Sequence, residues 1–104
     1  MGKDIPKKIK LSNRQAFHII VSGRVQGVGF RYFVREKALQ YNLMGWVKNL
    51  SNGNVEIQVE GDINDIEVFI DFLKIGNGYS KITEIDKTKI NLLKDQNSFQ
   101  IKLR

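Results

Sequence analysis

The chain has 104 residues, is 41% hydrophobic and 27% charged, and carries a net charge of +6. That size and balance describe a soluble globule of one domain around a single core, with no apolar run long enough for a bilayer and no secretory signal, so a cytoplasmic protein without a membrane partner is expected. There is no cysteine, which excludes disulfides, thiol catalysis and thiolate metal sites.

Residues 1–15 read as a flexible basic tail and residues 16–104 as the folded domain. Lys3, Lys7, Lys8, Lys10 and Arg14 against Asp4 place four of the six net charges in this lead-in. The body is nearly balanced, and such a tail is usually a solvated arm. From Phe17 the pattern becomes regular. Phe17, Ile19 and Val21 alternate with His18 and Ser22, the signature of a strand with one buried face. A glycine-rich loop follows, Gly23-Arg24-Val25-Gln26-Gly27-Val28-Gly29. Beyond it Phe30, Phe33, Val34, Ala38 and Tyr41 recur at helical spacing, and Asn42 suits the helix end. A second strand spans about Gly45 to Leu50, and Asn52-Gly53 then marks a hairpin. In the third strand Val55, Ile57 and Val59 alternate with Glu56, Gln58 and Glu60 up to Gly61. Asp62 can cap a second helix carrying Ile63, Ile66, Phe69, Ile70 and Leu73, which Gly76-Asn77-Gly78 breaks. A fourth strand covers roughly Ser80 to Lys89, its imperfect alternation pointing to a bulge. A final strand puts Phe99, Ile101 and Leu103 on one face and Gln100, Lys102 and Arg104 on the other. The order β-α-β-β-α-β plus a final strand is α+β: a ferredoxin-like α/β sandwich, with an antiparallel sheet and both helices on one face.

The glycine loop is the most informative stretch. A glycine-rich link from strand to helix lets several backbone N–H groups turn toward one point, and the helix adds its free N-terminal donors. Arg24 and Arg31 flank it, which suits a phosphate group. The loop alone is equally compatible with a flexible turn. It is neither a dinucleotide fingerprint nor a P-loop. Gly27 to Val34 also resembles the glycine-aromatic signature of RNA-recognition motifs, but there the signature lies on a central strand. Here the third strand shows acids and no aromatic, so no nucleic-acid partner is expected. His18, the only histidine, reads as structural, and Glu56 and Glu60 as a solvated strand face. No cluster has metal-ligand spacing. Trp46 reads as packing, with Asn49 close enough that it could wall a site.

Two stretches together resemble the acylphosphatase family. Residues 23–31 match its G-x-V-Q-G-V-x-F-R signature, and Gly45-Trp46-Val47-Lys48-Asn49-Leu50-Ser51-Asn52-Gly53 its G-W-V-x-N-x-x-x-G signature, with Val55 following. The likeness covers about residues 16–104. It implies a small, cofactor-free, metal-independent monomer that hydrolyses the carboxyl-phosphate bond of a small acyl phosphate. Arg31 would be the catalytic arginine and Asn49 the catalytic asparagine. The backbone of Val25, Gln26, Gly27, Val28, Gly29 and Phe30 would form the phosphate cradle. Gly29 fills a variable position of the signature, and Phe99 to Arg104 replaces a more usual arginine or tyrosine ending. Two alternatives stay open: an acylphosphatase-like module that binds carbamoyl phosphate for another enzyme, and a non-catalytic module whose basic tail meets an acidic partner.

Overall fold

The computed structural model describes residues 13–93 and 96–103. Residues 1–12 of the expected tail lie outside them, as does Arg104. The elements in chain order are β1 (Arg14–Arg24), α1 (Phe30–Gln40), β2 (Met44–Asn49), β3 (Val55–Asp62), α2 (Ile63–Ile75), β4 (Lys81–Ile90) and β5 (Phe99–Lys102). The strands form one sheet in the order β4-β1-β3-β2-β5.

The buried residues alternate along the sheet as the pattern requires. Ile19 and Val21 of β1, Ile57 and Val59 of β3 and Val47 of β2 face one side. Phe30, Val34 and Ala38 of α1 and Ile66, Phe69 and Leu73 of α2 close over them in one core. Both helices therefore sit on a single face. Asp62 accepts from the Asn64 N–H at 2.8 Å and starts α2. Asn42, at φ 58, ends α1, with Leu43 N–H on the Ala38 carbonyl and Asn42 N–H on the Leu39 carbonyl. That pair of bonds is the Schellman arrangement, which satisfies carbonyls that a helix end leaves open.

Four strands pair antiparallel as expected. The fifth differs: β5 lies parallel to β2, so the sheet is mixed. The chain leaves β4 at one edge and enters β5 at the other, across the end of the sheet where β2 begins. Leu93 N–H donates to Glu60 Oε1 at 2.8 Å on that path, and Gly45 N–H donates to the Ser98 carbonyl at 2.9 Å. β5 thus starts beside the start of β2 and runs the same way.

Glu60 corrects the expectation of a solvated face. It is only 6% exposed and also takes Arg14 Nη2 at 2.9 Å. The same contact explains why β1 begins inside the expected tail: Arg14 and Gln15 pair with Asp62 and Gly61. A buried carboxylate needs such partners. Glu60→Ala should cost about 1–3 kcal/mol by leaving the Leu93 N–H unsatisfied. A thermal melt unchanged from wild type would show that the crossing segment does not depend on this carboxylate.

The irregularity expected in the fourth strand is present. Ser22 faces Glu84 but Gly23 faces Ile82, a shift in the β1–β4 register. Gly23 sits at φ +123, and a Cβ there would lie 2.1 Å from the Lys81 carbonyl oxygen. This bend delivers the chain from β1 into the glycine loop. Among the described residues no helix is long and apolar enough to cross a membrane.

Candidate active site

The loop between β1 and α1 is anchored at both ends by its apolar residues. Val25 and Phe30 are each 1% exposed, so their side chains serve the core and their main chain is left for the loop. Gly27 and Gly29 are left-handed at φ 75 and 76. That conformation is cheap only for glycine, and alternating it with ordinary residues curls successive N–H groups toward a common centre. Gln26 ties the loop to the neighbouring hairpin: its Nε2 donates to the carbonyls of Leu50 and Asn54, both at 2.8 Å.

Topology brings the two motifs together. β1 and β2 both pair antiparallel with β3, so they run the same way and end at the same end of the sheet. Val21 of β1 faces Val55 of β3, and Val55 faces Asn49 of β2. Asn49 therefore lies two strand spacings, roughly 10 Å, from the chain that enters the loop. A pocket of about 110 Å³ opens there, lined by Val25, Gly27, Gly29, Phe30, Arg31, Tyr32 and Asn49. Pockets for drug-sized ligands run from about 300 Å³ upward; this smaller space suits a small ligand.

Its lining brings together donors of the kind an anion needs. Arg31 comes from the first turn of α1, and its Nη1 lies 3.3 Å from the Lys102 carbonyl of β5. Gly29, the N-cap of α1, offers no side-chain acceptor, and the first turn holds no acidic residue. The N-terminal N–H groups and positive dipole end of α1 are thus left to a ligand. α2 is the contrast, with Asp62 bonded at its cap and Asp65 in its first turn. The Oδ1 of Asn49 is buried and has no hydrogen-bond partner among the described residues. Buried acceptors are nearly always satisfied, so this one is free for a group that enters the pocket.

The Acylphosphatase family profile matches residues 17–101. The chain belongs to the acylphosphatase family. The acylphosphatase of Clostridium beijerinckii is 48% identical over 86 residues, 83% of this chain and 96% of that one. The crystal structure of the acylphosphatase from Bacillus subtilis is 46% identical with a TM-score of 0.81, covering 84% of this chain and 97% of that one. HypF from T. kodakarensis is 42% identical with a TM-score of 0.76; the match covers 86% of this chain but 12% of HypF. The same fold therefore also occurs as a small part of a far larger chain. Membership of the family makes this protein a hydrolase of acyl phosphates.

In this acylphosphatase the residues singled out in the sequence fall into two groups. Val25, Gly27, Gly29, Phe30, Arg31 and Asn49 line one pocket. Gln26 and Val28 do not; Gln26 holds the hairpin and Val28 packs against the core. Arg24 is exposed at the end of β1 and pairs with Lys81, so only one of the two flanking arginines reaches the site. Trp46 lies away from the pocket on the open sheet face, with the Lys102 Nζ 4.4 Å from its ring centroid. His18 is half-buried beside Glu56, Nε2 to Oε2 at 2.7 Å. Tyr32 was not anticipated. It lines the pocket although 72% exposed, and its only sequence signal is its place next to Arg31, off the apolar stripe of α1.

A Cβ on Gly27 would meet nothing within 4 Å. Gly27→Ala therefore tests backbone conformation alone, at about 1–2 kcal/mol for a left-handed non-glycine residue. We expect weaker phosphate binding as the loop relaxes; unchanged phosphate inhibition would show that the Gly27 conformation does not shape the cradle.

Proposed function

We propose that this acylphosphatase hydrolyses its substrate in the pocket at the head of α1, by in-line attack of a water oriented by Asn49. The phosphoryl group is held by Arg31 and the backbone N–H groups of residues 25–30. The observation that carries this reading is the meeting of one guanidinium, one partner-less buried amide oxygen and an uncapped helix N-terminus around a single small cavity.

The chemistry asks for little more. The water oxygen forms a bond to phosphorus while the phosphorus–acyl oxygen bond breaks. The leaving group departs with the electron pair as a carboxylate, which is stable at neutral pH and needs no general acid. What the protein supplies is alignment and charge stabilisation. Arg31 offers a planar two-pronged donor to two phosphoryl oxygens, and the loop N–H groups take the remaining charge from fixed positions. Asn49 Oδ1 accepts a hydrogen bond from the attacking water and fixes its line of approach to phosphorus. The water's proton passes to a phosphate oxygen. The acyl group leaves the pocket past Tyr32, the exposed ring at its rim.

The enzyme is proposed to act as a cytoplasmic, metal-independent monomer. The test is hydrolysis of benzoyl phosphate with and without a chelator, by wild type and Arg31→Ala, with size-exclusion chromatography for the monomer. Turnover indifferent to the chelator and lost in the variant is expected. A wild type that binds phosphate without turning over benzoyl phosphate would instead favour the accessory module, the reading to which the likeness to HypF lends weight.

A further inference from the structure

The turn after α2 reaches the phosphate loop through one side chain. Asn77 Nδ2 donates to the carbonyl of Val28 at 2.8 Å, across 49 residues of sequence. Its Oδ1 accepts from the N–H groups of Tyr79 at 3.0 Å and Ser80 at 2.9 Å. Those two donors fix which end of the amide faces which neighbour, so the nitrogen is committed to Val28. Its own N–H bonds to Ser80 Oγ at 3.1 Å. The preceding Gly76 N–H is held by the Phe72 carbonyl at the end of α2. Asn77 is therefore a rigid post rather than a loose loop residue.

What it grips is one end of a peptide plane. The Val28 carbonyl and the Gly29 N–H belong to the same peptide unit, and all peptide bonds described are trans. In a trans unit the two groups point in opposite directions. Holding the carbonyl outward at Asn77 turns the Gly29 N–H the other way. Gly29 and Phe30 line the pocket, and Val28 and Asn77 do not. Gly29 is also the left-handed N-cap of α1, so its N–H has no acceptor within the helix. Without a bond at Asn77, the Val28–Gly29 plane can rotate more readily, because Gly29 tolerates the change in φ that a flip requires. A flipped plane would present a carbonyl to the phosphate.

We propose that Asn77 is a positioning residue for phosphate binding, clamping the Val28–Gly29 peptide so that the Gly29 N–H stays aimed into the cradle. This rests on the reading of that pocket as the phosphate site. The bond lies outside both family signatures, on a turn that the sequence shows only as a helix breaker.

The test uses Asn77→Ser and Asn77→Asp. Serine can still accept from the Tyr79 and Ser80 N–H groups as a turn former, but is too short to reach Val28. Aspartate keeps the turn oxygen and replaces the donor with an acceptor. Three quantities are read: the inhibition constant of inorganic phosphate, KM and kcat for benzoyl phosphate, and the melting temperature. The phosphate-induced NMR shift of the Gly29 amide gives a fourth. For Asn77→Ser the inhibition constant and KM should rise about five- to tenfold, the effect of one misdirected hydrogen-bond donor, and the Gly29 shift should shrink. Asn77→Asp should do the same or more, and the excess over serine should fall at high salt, where its added charge is screened. A purely structural role would lower the melting temperature and leave the inhibition constant unchanged. That result in both variants, beside a competent wild type, overturns the clamp alone. A wild type that neither binds phosphate nor turns over benzoyl phosphate overturns the proposed function and the clamp with it.

Discussion

Arg31→Ala should lower kcat/KM for benzoyl phosphate by about a hundred- to a thousandfold, the ~3–4 kcal/mol carried by one well-placed oxyanion donor. Stability should barely change. The side chain is half-exposed at the start of α1, and its bond to the Lys102 carbonyl is long at 3.3 Å. β5 keeps its second tie to α1, because Arg35 Nε donates to the Phe99 carbonyl at 3.1 Å one helical turn further on. Loss of activity without loss of melting temperature is thus the expected signature. Arg31→Lys should recover only part of the rate, since an ammonium keeps the charge but not the rigid fork that meets two phosphoryl oxygens at once. Phosphate inhibition should weaken as well, because on the proposed reading the guanidinium already meets the phosphoryl group in the ground state and strengthens that contact in the transition state. An Arg31→Ala variant that keeps more than a tenth of wild-type kcat/KM would remove the guanidinium from the chemistry.

Local physics makes most of this fold legible in the sequence. The alternation of Val55, Ile57 and Val59, the cap at Asp62 and the left-handed stop at Asn42 each act within a few residues of themselves. Each is found where the pattern put it. What escaped depends on partners far away in sequence. β5 could not be oriented from its own residues, because its direction is set by the path across the sheet end, pinned by Glu60 and Ser98. Glu60 itself sits in a clean polar alternation, and only the arrival of Arg14 and Leu93 makes it buried. The site divides along the same line. The glycine loop, Arg31 and Asn49 were visible as motifs. Asn77 grips Val28 over 49 positions, and Gln26 the hairpin carbonyls over 24 and 28; a single sequence carries no trace of either bond.

The contrast between the two helices adds a second consistency. A glycine N-cap gives up only roughly a few tenths of a kcal/mol against Ser, Asn or Asp, so a helix start can be left without a side-chain cap at little cost. α2 has its cap and an acidic first turn; α1 has neither. The same protein that capped one helix left open the one that faces the pocket. An anion there would take up the donors that Gly29 leaves free, and the two left-handed glycines beside it lose the side chains that could otherwise compete. Added phosphate should therefore raise the melting temperature of the wild type, by an amount that grows with its concentration over its dissociation constant.

Asn49→Ala should separate binding from turnover. We expect kcat to fall about a hundredfold, the penalty for losing control of a reacting group's position, while the inhibition constant of phosphate shifts no more than about threefold. The reason lies in what each group touches. On the proposed reading phosphate is held by Arg31 and the loop, neither of which needs Asn49 for its geometry: the loop is tied by Gln26 to Leu50 and Asn54, and β2 is fixed by its ladders to β3 and β5. Asn49 Oδ1 is buried with no protein partner among the described residues, so its removal takes no hydrogen bond from the fold. The variant should therefore melt close to wild type. An unchanged melting temperature together with a collapse in kcat is what an active-site group predicts. Unimpaired turnover in Asn49→Ala would mean that the water is aligned by some other group, and the unpaired oxygen would then have no part in the reaction.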